Sequence, residues 1–241
     1  MAPGARPEAV VAGRVSAGIV QALRLLGRSG PALVLVFACI ALSLWAFGEL
    51  AEDVLEGEPF AADIPLMRLA HAASGPGLDT AFLVLSALGF AWGVVPADIL
   101  LTLGLVLRRR WADAAFVAVA TAGSGLLNLV AKHSFQRQRP ALWDSIAPEP
   151  TYSFPSAHAM GSATLACVLV VLCWPTRARW PVLAAAVLFV LGVGASRVYL
   201  GVHYPSDIAA GWAAALAWTL GVHLAMRGGL HLHRRRLRRD G

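Results

Sequence analysis

The feature that most constrains this chain is the segregation of its charge. Of the 241 residues, 58% are hydrophobic and only 14% are charged, against about 25% charged in a typical soluble domain. The charges fall between long apolar stretches. Roughly 20 such residues make a helix that crosses a bilayer core about 30 Å thick. The chain therefore reads as an all-α polytopic membrane protein. Spans are expected at about residues 30–49, within 80–107, and at about 112–131, 155–174, 180–200 and 205–226. A surface helix is expected over 65–78, where Leu66, Leu69, Ala70 and Ala73 recur at helical spacing. The stretch 80–107 is longer than one span needs and contains Gly93, Pro96 and Asp98, which suggest a tilt, a kink or a preceding surface segment. The expected division is an N-terminal segment 1–29, a membrane domain 30–226 and a basic tail 227–241. The first apolar run lacks a small-residue cleavage site, so it is expected to be retained.

Orientation follows from the lysine and arginine bias. With six helices and a cytoplasmic N-terminus, Arg24 and Arg28, Arg108 to Arg110, Arg177 with Arg179, and the tail all fall on the cytoplasmic side. Both termini are then expected to be cytoplasmic. Lys132, Arg137, Arg139, His158, Arg197 and His203 fall on the extracytoplasmic side, against the bias. An anionic ligand at that face accounts for them, as does ordinary headgroup contact. The net charge of +6 lies at span ends and in the tail, which argues against a nucleic-acid partner. Cys39, Cys167 and Cys173 lie in apolar runs and read as small packing residues.

Three clusters carry chemistry. In KHSFQRQRP, Lys132 ends one span and Arg139 follows, held extended by Pro140. A lysine point charge and an arginine fork suit phosphate oxygens, and they equally suit interface anchors. Arg137 is a second phosphate contact or faces solvent or a headgroup. In SFPSAHA, Pro155 suits the first turn of a helix. The N–H groups of Ser156, Ala157 and His158 would then form an anion site, Ser156 would add a hydroxyl, and His158 could donate a proton to a leaving oxygen. In SRVYLGVHYPSD, Arg197 ends a span. Asp207, four residues after His203, can hold one ring nitrogen protonated and leave the other free to attack. Asp207 also reads as an acid favoured by the helix N-terminus.

Together and in this order, the clusters resemble the type-2 phosphatidic acid phosphatase superfamily of integral membrane lipid phosphatases, related to vanadium haloperoxidases and bacterial acid phosphatases. Its motifs are lysine, six residues, arginine, proline; proline-serine-glycine-histidine; and serine-arginine, five residues, histidine, three residues, aspartate. The resemblance spans about residues 30–226. It implies phosphate binding by Lys132, Arg139, Ser156, Ala157 and Arg197. It also implies a phosphohistidine on His203 oriented by Asp207, with His158 as acid and then base, and no metal or other cofactor. The implied reaction is hydrolysis of a lipid phosphate or diphosphate at the cell membrane. Undecaprenyl diphosphate, phosphatidylglycerol phosphate and phosphatidic acid are candidate substrates. A phosphotransferase with a non-water acceptor, and a degenerate lipid-phosphate binding or transport protein, are the alternatives. Ala157 stands where the family has glycine. Alanine fits a helical first turn, and its methyl matters only if the position needs positive φ or very close phosphate approach. Small residues in the spans serve internal packing or a dimer interface alike, leaving the oligomeric state open.

Overall fold

Residues 7–237 are described for their backbone and residues 30–226 for their side chains in this computed structural model. The side chains of the expected segment 1–29 and tail 227–241 lie outside that range. Contacts divide the chain into two units, Met1–Cys39 and Ile40–Gly241. Eight helices run through the described residues: α1 (Pro7–Glu56), α2 (Asp63–Ala72), α3 (Pro76–Leu88), α4 (Val94–Leu107), α5 (Trp111–Phe135), α6 (Ala157–Cys173), α7 (Arg179–Tyr199) and α8 (Pro205–Leu237).

The protein is all-α and multi-pass, but the expected bundle of six spanning helices is not what forms. Among the described residues, four helical segments are long and apolar enough to cross a bilayer: Gly30–Glu56, Trp111–Phe135, Arg179–Tyr199 and Pro205–Met226. Three shorter apolar helices accompany them, Pro76–Leu88, Val94–Leu107 and Ala157–Cys173. The stretch expected to hold the second span is two helices, broken at Gly89 to Gly93. A Cβ on Gly93 would stand 2.1 Å from the Leu88 carbonyl oxygen, so the reversal there requires glycine. The expected fourth span is the 17-residue α6. At 1.5 Å per residue it is about 25 Å long, short of the roughly 30 Å core. The expectations of cytoplasmic termini and an extracytoplasmic site rested on that span count and fall with it as deductions from sequence.

Burial explains the miscount. Helix α6 is apolar because protein surrounds it. It packs on α5, α7 and α8, and Ala159, Met160, Ala163, Leu165, Ala166 and Val168 are all buried. Three of the long helices show the opposite pattern: Leu44 and Trp45 of α1, Leu126 and Val130 of α5 and Leu188 of α7 are exposed as lipid-facing residues would be. Hydropathy scores both environments alike.

Small residues let α6 and α8 approach closely. A Cβ at Gly211 would lie 3.0 Å from both the Ala159 Cβ and the Ser156 carbonyl oxygen. Between α5 and α6, Ser124 and Thr164 hydroxyls pair at 2.8 Å. From α8, the Trp218 Nε1–H donates to the Ala120 carbonyl at 2.9 Å. Gly211→Val should therefore force the start of α6 away from α8 and lower stability by about 1–3 kcal/mol, as overpacking does. Thermal unfolding of the detergent-solubilised protein checks this, and an unchanged melting temperature would show that the contact yields.

Candidate active site

The C-terminal ends of α5 and α7 meet the N-terminal ends of α6 and α8 at one end of the bundle. The connection 136–156 folds across that end. Helix α5 stops at Gln136, which adopts the left-handed conformation at φ 47. The chain then turns back so that the Ser153 N–H donates to the Arg137 carbonyl at 2.9 Å. The α7–α8 connection turns at Gly201, φ 72, packed under Trp143, whose Nε1 would lie 2.6 Å from an added Cβ. A side chain there is excluded both by the backbone and by the indole.

Three cations converge on this end. Lys132 Nζ donates to the Tyr152 carbonyl at 2.7 Å and to Thr151 Oγ1 at 3.0 Å. Arg139 donates from Nε to the Thr151 carbonyl at 2.6 Å and from Nη1 to the Val202 carbonyl at 2.7 Å. Arg197 is almost wholly buried, and its Nη1 donates to Ser86 Oγ of α3.

His203 is fully buried. Its Nδ1 stands 3.3 Å from Asp207 Oδ2 and its Nε2 3.1 Å from Arg139 Nη1. Guanidinium can only donate, so Nε2 is the accepting nitrogen and Nδ1 carries the proton toward Asp207. Burial first, then Arg139 and Arg197, hold His203 well below the usual histidine range. The ring is therefore neutral, with its lone pair facing the cations. Asp207 Oδ2 also accepts from the Tyr204 N–H at 2.9 Å, fixing the carboxylate at the first turn of α8.

On α6, Ser156 is the N-cap and its Oγ accepts from the Ala159 N–H at 3.4 Å. Its own N–H is not free, because it donates to the Asp207 carbonyl at 3.1 Å. Ser156 thus joins α6 to α8 and keeps a hydroxyl proton to give. Ala157 is the first helical residue. The positive-φ residues other than glycine in the described chain are Arg109 and Gln136, so alanine carries no backbone strain at 157. Its N–H is one that a helix start leaves without an intrahelical partner. His158 packs its ring on Phe90 at 5.2 Å. Its buried Nδ1 has no hydrogen-bond partner among the described residues.

Sequence reasoning missed the residue at the centre. The Glu149 carboxylate pairs with Arg139 Nη2 at 2.7 Å and with Arg197 Nη2. It also lies 3.8 Å from His158 Nδ1 and 4.0 Å from His203 Nε2. Burial works against its charge, but Arg197 and Arg139 outweigh burial and hold the carboxyl below the usual glutamate value. Its only sequence signal was an acid in a polar, proline-rich connection. Arg137 is placed differently from the other cations: it faces Asp207 at 2.5 Å and Asp63 at 3.0 Å, not the group around Glu149.

Buried cations, helix starts and an oriented neutral histidine gather around one anion, an arrangement suited to holding phosphate oxygens with donors from the protein itself. Residues 113–228 match the PAP2 superfamily. The chain is 30% identical over 164 residues to phosphatidylglycerophosphatase B of Bacillus subtilis, covering 64% of this chain and 78% of that protein. It is 29% identical over 155 residues to an undecaprenyl-diphosphatase of Sulfolobus acidocaldarius, covering 62% and 71%. The crystal structure of a transmembrane PAP2-type phosphatidylglycerolphosphate phosphatase from Bacillus subtilis shares the fold. Its TM-score is 0.66 at 23% identity, over 78% of this chain and 94% of that one. The chain belongs to the PAP2 superfamily, and it is a membrane hydrolase of the lipid-phosphatase type.

Proposed function

We propose that this site cleaves an amphiphilic phosphate monoester or diphosphate by way of a phosphohistidine on His203. The observation that carries the reading is Glu149: an anion already sits between Arg139 and Arg197, beside both histidines. A substrate phosphate would take its place. Lys132, Arg139, Arg197, the Ser156 hydroxyl and the Ala157 N–H would hold the phosphoryl oxygens. His203 Nε2 would attack phosphorus as the bond to the leaving oxygen breaks, and His158 would protonate that oxygen. The developing imidazolium is stabilised by Asp207. Water, deprotonated by His158, would then attack phosphorus. The N–P bond breaks, His203 returns to its neutral form and inorganic phosphate leaves.

Two features favour a lipid substrate. An apolar cavity of about 620 Å³ opens between α2, α3, α7 and α8, lined by Phe82, Val198, Tyr199, Ile208 and Trp212 among others. Val198 and Tyr199 of its lining lie on α7 with Arg197, and Pro205 and Ile208 lie on α8 with Asp207, so the cavity shares two helices with the site. The relatives named above act on a phosphatidylglycerol phosphate and an undecaprenyl diphosphate by their names. These two, with phosphatidic acid, are the proposed substrates. The site is proposed to face the extracytoplasmic side of the cell membrane. Arg108 to Arg110 precede α5, and Arg177 and Arg179 stand at the start of α7, at the ends of these helices away from the site. Such clusters favour the cytoplasm.

The test is a phosphate-release panel over these three lipids, run with EDTA on the purified protein. Release from at least one supports the reading, and release from none overturns it. A second expectation concerns Glu149. Glu149→Gln removes the internal competitor, so inorganic phosphate should inhibit about tenfold more tightly, equivalent to about 1.4 kcal/mol. Weaker inhibition would mean that Glu149 chiefly orients the arginines.

A further inference from the structure

Arg137 lies within the first motif, between Lys132 and Arg139, yet its guanidinium turns away from the phosphate group of cations. Nη1 donates to Asp207 Oδ1 at 2.5 Å and to Ser206 Oγ at 2.8 Å. Nη2 donates to Asp63 Oδ2 at 3.0 Å. The guanidinium lies 4.1 Å from the Tyr204 ring centroid and 5.5 Å from that of Phe60. Asp63 begins α2 and is itself buried. Its Oδ1 accepts from the Ser206 N–H at 2.9 Å, and its Oδ2 accepts from the Ser206 hydroxyl at 2.6 Å.

The arrangement has a direction. Asp207 is fully buried and uses one oxygen on His203 and the Tyr204 N–H, the other on Arg137. A buried carboxylate facing only a neutral imidazole is poorly compensated, and the cation supplies what burial removes. Arg137 in turn is held at its other arm by Asp63, and Asp63 also caps the first turn of α8 through Ser206. Each charge fixes the next. Residue 63 lies outside the segment 113–228 that matches the family, so the outer end of this chain of charges comes from α2.

We propose that Arg137 and Asp63 are positioning residues for the reaction: the relay Asp63, Arg137, Asp207, His203 keeps the nucleophile's partner ionised and its ring in register. Their effect reaches the chemistry through Asp207, and neither touches the phosphate. The inference rests on the proposed role of His203.

The test compares Arg137→Gln, Arg137→Lys, Asp63→Asn and the double variant Arg137→Gln with Asp63→Asn in detergent. The readouts are kcat, the inhibition constant of inorganic phosphate, and phosphohistidine formed in a rapid acid-free quench. Arg137→Gln should lower kcat and the rate of phosphohistidine formation by about 10- to 100-fold, the usual range for a partner that orients a reacting group from behind. Phosphate inhibition should stay within about twofold of wild type. Arg137→Lys keeps the charge and should recover part of the loss. Asp63→Asn keeps an oxygen to accept from the Ser206 N–H and should lower kcat less, and the double variant should match Arg137→Gln alone, because the charge of Asp63 reaches Asp207 through Arg137. Should Arg137→Gln fail to fold, the lysine and asparagine variants carry the test through the same kcat-against-inhibition split. Weakened phosphate inhibition with kcat unchanged would make Arg137 a phosphate ligand and overturn the proposal. So would additive losses, or stability losses with normal kcat in the folded fraction. Wild type that turns over without any phosphohistidine would instead overturn the role of His203, and the relay with it.

Discussion

His203→Ala should abolish phosphate release, with a loss of roughly 10⁴-fold or more, as expected when a nucleophile is deleted from a site that acts as a unit. Alanine leaves Lys132, Arg139 and Arg197 in place, so the variant should still bind inorganic phosphate. That separates lost chemistry from lost binding. The wild-type protein should yield a phosphohistidine that the variant cannot form. The neutral state of His203 adds a pH signature. Protonation would remove the Nε2 lone pair, and burial with Arg139 and Arg197 beside it pushes that protonation well to the acid side of the usual histidine value. The His203-dependent acid limb of kcat/KM should therefore lie below that value. Full activity in His203→Ala would end the phosphohistidine mechanism.

His158→Ala should lower turnover by roughly 10²- to 10⁴-fold, the span expected for a general acid. The loss should depend on the leaving group. A lipid alcohol leaves poorly without a proton, whereas p-nitrophenol leaves well as its anion. Hydrolysis of p-nitrophenyl phosphate should therefore lose much less in its first step. If His158 also activates the water, the second step slows too, and phosphohistidine builds up on the variant with this substrate. The geometry favours such a role, because the buried Nδ1 of His158 is without a hydrogen-bond partner among the described residues and lies 3.8 Å from Glu149 Oε1. Equal losses on both substrates, with no accumulated intermediate, would leave His158 as a binding residue.

Most of the site was legible because its parts are local patterns. The lysine-to-arginine spacing, the proline-serine start of a helix and the histidine four residues before an aspartate each survive as short words. The structure brings Lys132, Arg139, Ser156, Ala157, His158, Arg197, His203 and Asp207 to one end of the bundle. What was not legible acts across long separations. Glu149 meets Arg197 from 48 residues away and Asp63 meets Arg137 from 74. Nothing in the acidic connection after α1 distinguishes Asp63 from its neighbours until α2 is packed beside α8. Arg137 stood open between a phosphate contact and a residue facing solvent or a headgroup, because the motif places it among cations without fixing its direction. Only the turn after Gln136 sends it toward Asp207. The span count failed for a different reason: α6 is as apolar as a membrane helix but owes this to the helices around it, and the break at Gly93 needs a backbone approach that hydropathy does not register.

Glu149 has a consequence for how the enzyme meets its substrate. The site and its relay hold four cations, Lys132, Arg137, Arg139 and Arg197, and three carboxylates, Asp63, Glu149 and Asp207. These seven groups alone leave one net positive charge. Such a centre projects little field beyond a Debye length of about 8 Å at physiological ionic strength, so it does not draw anions in from a distance. On the proposed mechanism, capture would be a local exchange of counterions, with a lipid already lying in the membrane trading its phosphate for the carboxylate of Glu149. Added salt should then change KM only weakly, and selection among membrane lipids falls to the fit of head and tail at contact.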